Sequence, residues 1–253
     1  MTELFAEFGL SSVSLLLLIL CGMLIGMSKT GIQGIGTLVV PIMALIFGAK
    51  PSTGLLLPML CMADVMAVLY YRNEVKWRFI FALLPWAVLG FFVALLVDSQ
   101  VPQSQFRKLI AVTLFVGFVV MFWNEKRQKS GAILPEGLWF AALFGILGGF
   151  STMIGNAAGP IMAVYLLAAR LPKNSFVGTS AWFFLIVNFL KLPLQFFFWH
   201  NISASSLALN AAMLPAIFLG AVIGIWFVRL LSERNYRRFV TAATLISTML
   251  LFL

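Results

Sequence analysis

Apolar runs and short polar breaks alternate along the whole chain. Five apolar runs precede residue 124, at roughly 10–27, 34–48, 53–71, 79–97 and 105–123. Five more follow, at roughly 133–149, 155–169, 174–199, 206–230 and 236–253. A helix crossing a bilayer needs about 20 apolar residues. The third, fourth and fifth runs of each set reach that length or nearly so. The first two of each set are shorter and are separated by glycine-containing polar breaks. Each such pair reads either as two short spans or as a re-entrant hairpin whose tip stops inside the membrane. The pattern predicts an all-α polytopic membrane protein.

The same pattern is written twice. Ile35-Gly36 leads after four residues to Pro41-Ile42-Met43-Ala44, and Ile154-Gly155 leads to Pro160-Ile161-Met162-Ala163. Leu84-Pro85 with Gly90 recurs as Leu214-Pro215 with Gly220, and Phe106-Arg107-Lys108 recurs as Tyr236-Arg237-Arg238. The landmarks keep their order, so the chain reads as a first repeat over 1–129 and a second over 130–253, together forming one transmembrane domain. Each repeat holds a short broken-helix pair and three longer transmembrane helices.

Composition agrees with lipid as the main solvent. Hydrophobic residues make up 62% of the chain and charged residues only 10%, and the mean hydropathy is +1.05. A soluble domain of this length cannot hide so much apolar surface. The net charge of +9 is not gathered on one face, as nucleic acid would require. Alternating the segments instead puts Lys29, Arg72, Lys76, Arg78, Lys126, Arg127, Lys129, Arg170, Lys173, Arg229, Arg234, Arg237 and Arg238 on one side. The other side holds Lys50, Arg107 and Lys108, with Lys191 inside a segment. The positive-inside rule makes the first side cytoplasmic and both termini outside. Each half then crosses an odd number of times, and two odd repeats in series lie upside down relative to each other. Such inverted-topology repeats build many secondary transporters, with sites near the midplane. Glu3 and Glu7 stand where a signal peptide carries basic residues, so Leu15–Leu20 is expected to stay as a membrane segment.

The two breaks carry the candidate chemistry. Helix N-termini offer unpaired N–H groups and a positive dipole end, which suit an anion, and glycine lets backbone approach a ligand closely. The first break offers Ser28, Lys29, Thr30, Gln33, Gly34 and Gly36; the second offers Thr152, Gly155 and Asn156. Opposite repeat orientation would bring both to one site, with Gln33 and Asn156 closer to each other than to either membrane face. The competing reading of the glycines is close helix packing. Lys29 is either a cation beside a substrate or a topology charge. Asp64 and Lys191 occupy equivalent positions in the third segments of the two halves. An unpaired charge at mid-bilayer costs about 2.5–3.5 kcal/mol, so each should face a partner or a wet cavity. They either pair directly, or Asp64 carries a coupled proton while Lys191 attracts the anion, or Lys191 snorkels toward an interface. Asn188, Gln195 and Thr179-Ser180 read as buried polar groups bonding between helices. His200, the one histidine, reads as an interface residue, and Trp77, Trp86, Trp123, Trp139 and Trp199 read as an aromatic belt. Cys21 and Cys61 lie in apolar runs and suggest neither disulfide nor metal.

The run Gly31-Ile32-Gln33-Gly34-Ile35-Gly36 leading into Pro41, the loop Asn73-Glu74-Val75-Lys76-Trp77-Arg78, and Gly159-Pro160 with Thr179-Ser180 together resemble the sulfite exporter TauE/SafE family. The resemblance covers nearly the whole chain. It departs at Gly155-Asn156-Ala157-Ala158-Gly159, where the family has a denser glycine run, and at Leu57-Pro58-Met59, where Thr-Ser would be expected. It implies outward movement of sulfur-containing anions such as sulfite, sulfoacetate and other organosulfonates; the residues alone imply only a small anion.

The leading expectation is therefore a secondary membrane transporter in a bacterial inner membrane, exporting small sulfur anions with proton coupling. An anion channel, or a carrier for another small organic anion, is the alternative. An enzyme is not expected, since only Asp64 lies deep in a segment. No phosphate-binding loop is present. Neither a cofactor nor a metal is expected. The expected partners are a small anionic substrate, the lipid bilayer and protons, not nucleic acid.

Overall fold

A computed structural model of the chain describes residues 8–97 and 138–250. The expected segment at 105–123, with Phe106-Arg107-Lys108 and Trp123, lies outside the described residues, as do Lys126, Arg127 and Lys129. Every regular element among the described residues is a helix. The first half supplies α1 (Ser12–Thr30), α2 (Gly36–Phe47), α3 (Ala49–Tyr71) and α4 (Trp77–Val97). The second supplies α5 (Leu138–Gly155), α6 (Gly159–Ala168), α7 (Lys173–Phe197), α8 (Ala204–Ala212), α9 (Leu214–Leu230) and α10 (Glu233–Leu250).

Among the described residues five helices are long and apolar enough to cross a membrane, and six spans result if the bent pair α8–α9 counts as one. The chain is an integral membrane protein. Large apolar side chains such as Leu16, Leu45, Leu96, Phe218 and Trp226 are exposed on its surface, where acyl chains and not water would meet them.

The broken pairs differ from the expectation in one respect. Their first members, α1 and α5, have 19 and 18 residues and reach spanning length. Only α2 and α6, with 12 and 10 residues, are short. At 1.5 Å per residue α2 is about 18 Å long, little more than half the hydrocarbon core. Helix α1 runs on through Ser28-Lys29-Thr30 because the charge of Lys29 is paired inside the protein, so the polar triplet does not have to leave the helix. The Leu-Pro landmarks also diverge. Pro85 sits within a continuous α4, whereas Pro215 follows a 48° bend at the start of α9, as a residue without an N–H donor permits.

Among the described residues the main junctions between the two halves are three helix pairs: α1 with α9, α4 with α5, and α3 with α7. The first two are glycine seams. A Cβ on Gly26 would lie 2.1 Å from the Ile217 carbonyl, and one on Gly220 would lie 2.0 Å from the Met23 carbonyl. In the other seam a Cβ on Gly149 would lie 2.0 Å from the Ala87 carbonyl, and one on Gly90 would lie 2.3 Å from the Ile146 carbonyl. The first helix of each half thus packs backbone to backbone on a helix from the fourth segment of the other. Small residues at four-residue spacing are what close packing in lipid requires. The seams flank the largely buried α3–α7 pair.

Gly149→Ala and Gly220→Ala are each expected to lower stability by about 1–3 kcal/mol, the usual cost of overpacking. Gly159→Ala, where an added Cβ meets nothing within 4 Å, should leave the melting temperature unchanged. Thermal unfolding of the purified variants measures the difference.

Candidate functional site: a polar cavity between the two helix breaks

The two breaks end long helices and begin short ones. Helix α1 stops at Gly31 and the chain turns through Gly34, at φ 102, into α2. Helix α5 stops at Gly155, and Asn156 takes the left-handed φ of 52, a conformation that asparagine tolerates better than most residues. Proline at the start of α6 suits its first turn. Irregular backbone of this kind persists in a membrane only where protein or a wet cavity surrounds it.

A cavity of about 50 Å³ lies between the breaks. Ser28, Lys29, Gln33, Gly34 and Gly36 line it from the first half, and Thr152 and Asn156 from the second. Gln33 and Asn156 therefore face one space. Gly36 and Gly159, the first residues of α2 and α6, both border it, so two positive helix ends meet there. Thr30 and Gly155 are not in the lining. The Thr30 hydroxyl is buried in the α1–α9 seam, 2.9 Å from the carbonyls of both Gly26 and Ala221.

Charge is concentrated beside the cavity. Lys29 Nζ lies 2.9 Å from Asp64 Oδ1 and 4.0 Å from the centre of the Phe184 ring. Asn188 donates to the other Asp64 oxygen at 2.6 Å. Lys191 is fully buried, and its ammonium donates to Asn156 Oδ1 at 2.6 Å, Thr152 Oγ1 at 2.9 Å and Asn188 Oδ1 at 3.3 Å. Of the expected arrangements, a direct Asp64–Lys191 pair is not the one found. Asp64 is taken by Lys29, and Asn188, one helical turn before Lys191, bridges the two by accepting from one and donating to the other. Nor does Lys191 snorkel outward. With both lysines and the aspartate ionised, the cluster carries one positive charge more than its carboxylate offsets.

A model of one protein family, described as Sulfite exporter TauE/SafE, matches residues 18–251. The chain belongs to the sulfite exporter TauE/SafE family. Membership places it among membrane transporters of sulfur-containing anions such as sulfite. No curated protein and no solved structure gave a match.

Within this TauE/SafE chain the sequence reading missed one pair of residues. Ser52-Thr53 stands 127 residues before Thr179-Ser180, the same separation as Asp64 from Lys191. It is the first-half counterpart that Leu57-Pro58-Met59 does not supply. The contacts are reciprocal. Gln33 donates to Ser180 Oγ at 2.7 Å, and Asn156 donates to the Thr53 carbonyl at 3.1 Å. Each break thus touches the third helix of the other half. The loop after each third helix also folds over the start of the opposite one. Asn201 presses on Gly54 and donates to Thr53 Oγ1 at 3.4 Å and Gln195 Oε1 at 3.1 Å. Lys76 N donates to Thr179 Oγ1 at 2.9 Å, and Ser175 Oγ donates to Glu74 at 3.4 Å. These contacts form two clasps, one at each end of the α3–α7 pair.

Removing one partner of a buried ion pair costs about 3–5 kcal/mol because the other charge is stranded. Asp64→Asn is expected to destabilise strongly, and adding Lys29→Met to it should recover much of the loss. Equal melting temperatures for the single and double variants would show that the pair is not coupled.

Proposed function

We propose that the protein is a secondary carrier that exports small sulfur-containing anions, with the polar cavity as the substrate site and Asp64 as the proton-coupling group. The observation that carries this reading is the unbalanced charge. Lys29 lines a cavity already furnished with hydroxyls and helix N-termini. Asp64 and Lys191 stand behind it, bonded to the lining residues Lys29, Asn188, Thr152 and Asn156. With all three ionised, a monoanion would bring the cluster to neutrality. Buried charge without compensation is costly, so the favourable occupant is negative.

Ser28, Lys29, Gln33, Gly34, Gly36, Thr152 and Asn156 form the anion site in this reading, with Ser180 and Asn188 added to it. Gln33 Oε1 is buried and has no hydrogen-bond partner among the described residues. Turning its amide over, an orientation that heavy atoms alone do not fix, lets Ser180 donate to Oε1 and presents the amide N–H₂ to an anion. Size supports the smaller substrates. A water occupies about 10–15 Å³ on this measure, so about 50 Å³ suits an oxyanion the size of sulfite. Sulfoacetate and other organosulfonates would need the cavity to widen.

The halves 1–129 and 130–253 are inverted repeats in this reading, with both termini outside a bacterial inner membrane. The reciprocal seams and clasps support that arrangement. Alternating access follows if one clasp parts while the other holds. Protonation of Asp64 weakens its hold on Lys29 and frees that ammonium for the substrate, linking the anion to the proton gradient.

Counterflow in proteoliposomes tests the carrier. Sulfite inside is expected to stimulate saturable uptake of labelled sulfite, whereas current that follows the membrane potential without such stimulation would make the protein a channel. Lys191→Met should reduce transport at least tenfold, since about 1.4 kcal/mol of lost charge-assisted bonding suffices for that factor.

Asp64→Asn tests the coupling separately. Transport per folded molecule, assayed below the lowered melting temperature of that variant, is expected to lose the pH dependence of the wild type while sulfite binding is retained. An unchanged pH profile would remove Asp64 from the proton path.

A further inference from the structure

A second cleft lies away from the central cavity, where the end of α6 meets the starts of α7 and α10. It encloses about 440 Å³. Four basic side chains line it, Arg170, Lys173, Arg234 and Arg237, against one acidic side chain, Glu233. All four cations lie on the face that the distribution of basic residues assigns to the cytoplasm.

Two of them serve the fold. Lys173 Nζ donates to the Val228 and Leu231 carbonyls at the end of α9, and Arg237 donates to the Leu167 carbonyl near the end of α6 at 2.6 Å. Both cations thereby offset the negative end of a helix. Glu233 accepts the Lys173 backbone N–H at 2.7 Å, so it too is engaged. Arg170 and Arg234 are exposed and have no side-chain partner among the described residues. Arg170 moreover holds the left-handed φ of 51, a strained position where glycine would be free of strain. The cleft therefore keeps positive charge that the fold does not consume.

We infer that this cleft binds the phosphate of an anionic phospholipid headgroup. Guanidinium groups match phosphate oxygens in geometry as well as charge, and basic pockets between membrane helices on the cytoplasmic side are suited to such headgroups. Leu171 and Pro172 give the cleft an apolar border, and Leu230, at the end of the adjoining α9, is exposed as a lipid-facing residue would be. The cleft is also connected to the central site. Tyr236, which lines it, donates through its hydroxyl to the carbonyl of Gly31, where α1 breaks. A bound headgroup would brace the start of α10 against that break.

The test is a thermal-shift titration of the purified whole chain with short-chain phosphatidylglycerol, short-chain phosphatidylcholine or inorganic phosphate. Phosphatidylglycerol is expected to raise the melting temperature saturably, and the other two are not. Arg170→Gln/Arg234→Gln should weaken the phosphatidylglycerol response about fivefold or more per arginine, while Arg72→Gln, on the same face outside the cleft, keeps it. If the double variant does not fold, Arg234→Gln alone is read in the same way. An equal shift with phosphatidylcholine, an undiminished response in the cleft variant, or an equal loss in Arg72→Gln would overturn the inference. A saturable shift with inorganic phosphate would overturn the lipid assignment in favour of a free-phosphate site. None of these readouts depends on transport, so the inference can fail without affecting the proposed function.

Discussion

Lys191 has no exposed surface, and its ammonium is held by neutral acceptors alone. Holding a cation in that way requires oxygens from several places at once. Thr152 comes from the end of α5, Asn156 from the break beyond it, and Asn188 from the preceding turn of α7 itself. Asn188 can serve Lys191 only because its amide nitrogen is occupied by Asp64, and Asp64 is in turn held by Lys29 on α1. One buried charge thus ties together α1, α3, α5 and α7. Only Asn156 reaches the cluster from a helix break; the other members are side chains of continuous helices.

The forces around this cluster are of two kinds. Along the α1–α9 and α4–α5 seams, glycines let backbones touch, and any widening would forfeit many short contacts together. Such seams act as rigid units. The clasps at the ends of α3 and α7 are thinner, built from a few hydrogen bonds that reach 3.4 Å. Local opening draws on the regions with few buried contacts. Motion in this protein is therefore most easily accommodated at the clasps, with the seams carried along intact.

Periodicity and length made most of the helices legible, because lipid leaves a twenty-residue apolar run few alternatives to helix. The short helices α2 and α6 were legible as exceptions, since glycine and proline punctuate both. The reach of α1 was not. Its last turn looks like a polar loop until Asp64 is known to face Lys29, and that partner lies 35 residues further along. The cavity was legible through Gln33 and Asn156, whose amides stand beside glycine breaks in otherwise apolar sequence. Thr53 and Ser180 were harder to assign to it, because a hydroxyl inside a membrane helix commonly bonds back to its own backbone or across to a neighbour. Asn188 was named only as a buried polar group. Its bridging role depends on both ends of one amide finding opposite charges, which spacing along one helix does not encode.

The same amides that face the cavity also reach the clasps. Asn156 accepts from Lys191 and donates to the Thr53 carbonyl, and the hydroxyl of Thr53 accepts from Asn201. Gln33 donates to Ser180, whose neighbour Thr179 accepts from Lys76. An anion in the cavity would compete with Asn156 for the Lys191 ammonium, and it would hold the Gln33 amide in the orientation in which Ser180 donates to Oε1. Asn156 and Gln33 each also bond near the start of a third helix beneath its clasp, so either change acts on a residue that steadies that start. A ligand shifts a conformational equilibrium only through contacts that differ between its two states, and these competing bonds are contacts of that kind. Site and clasps are then two ends of the same hydrogen-bonded chains, one toward each end of the α3–α7 pair.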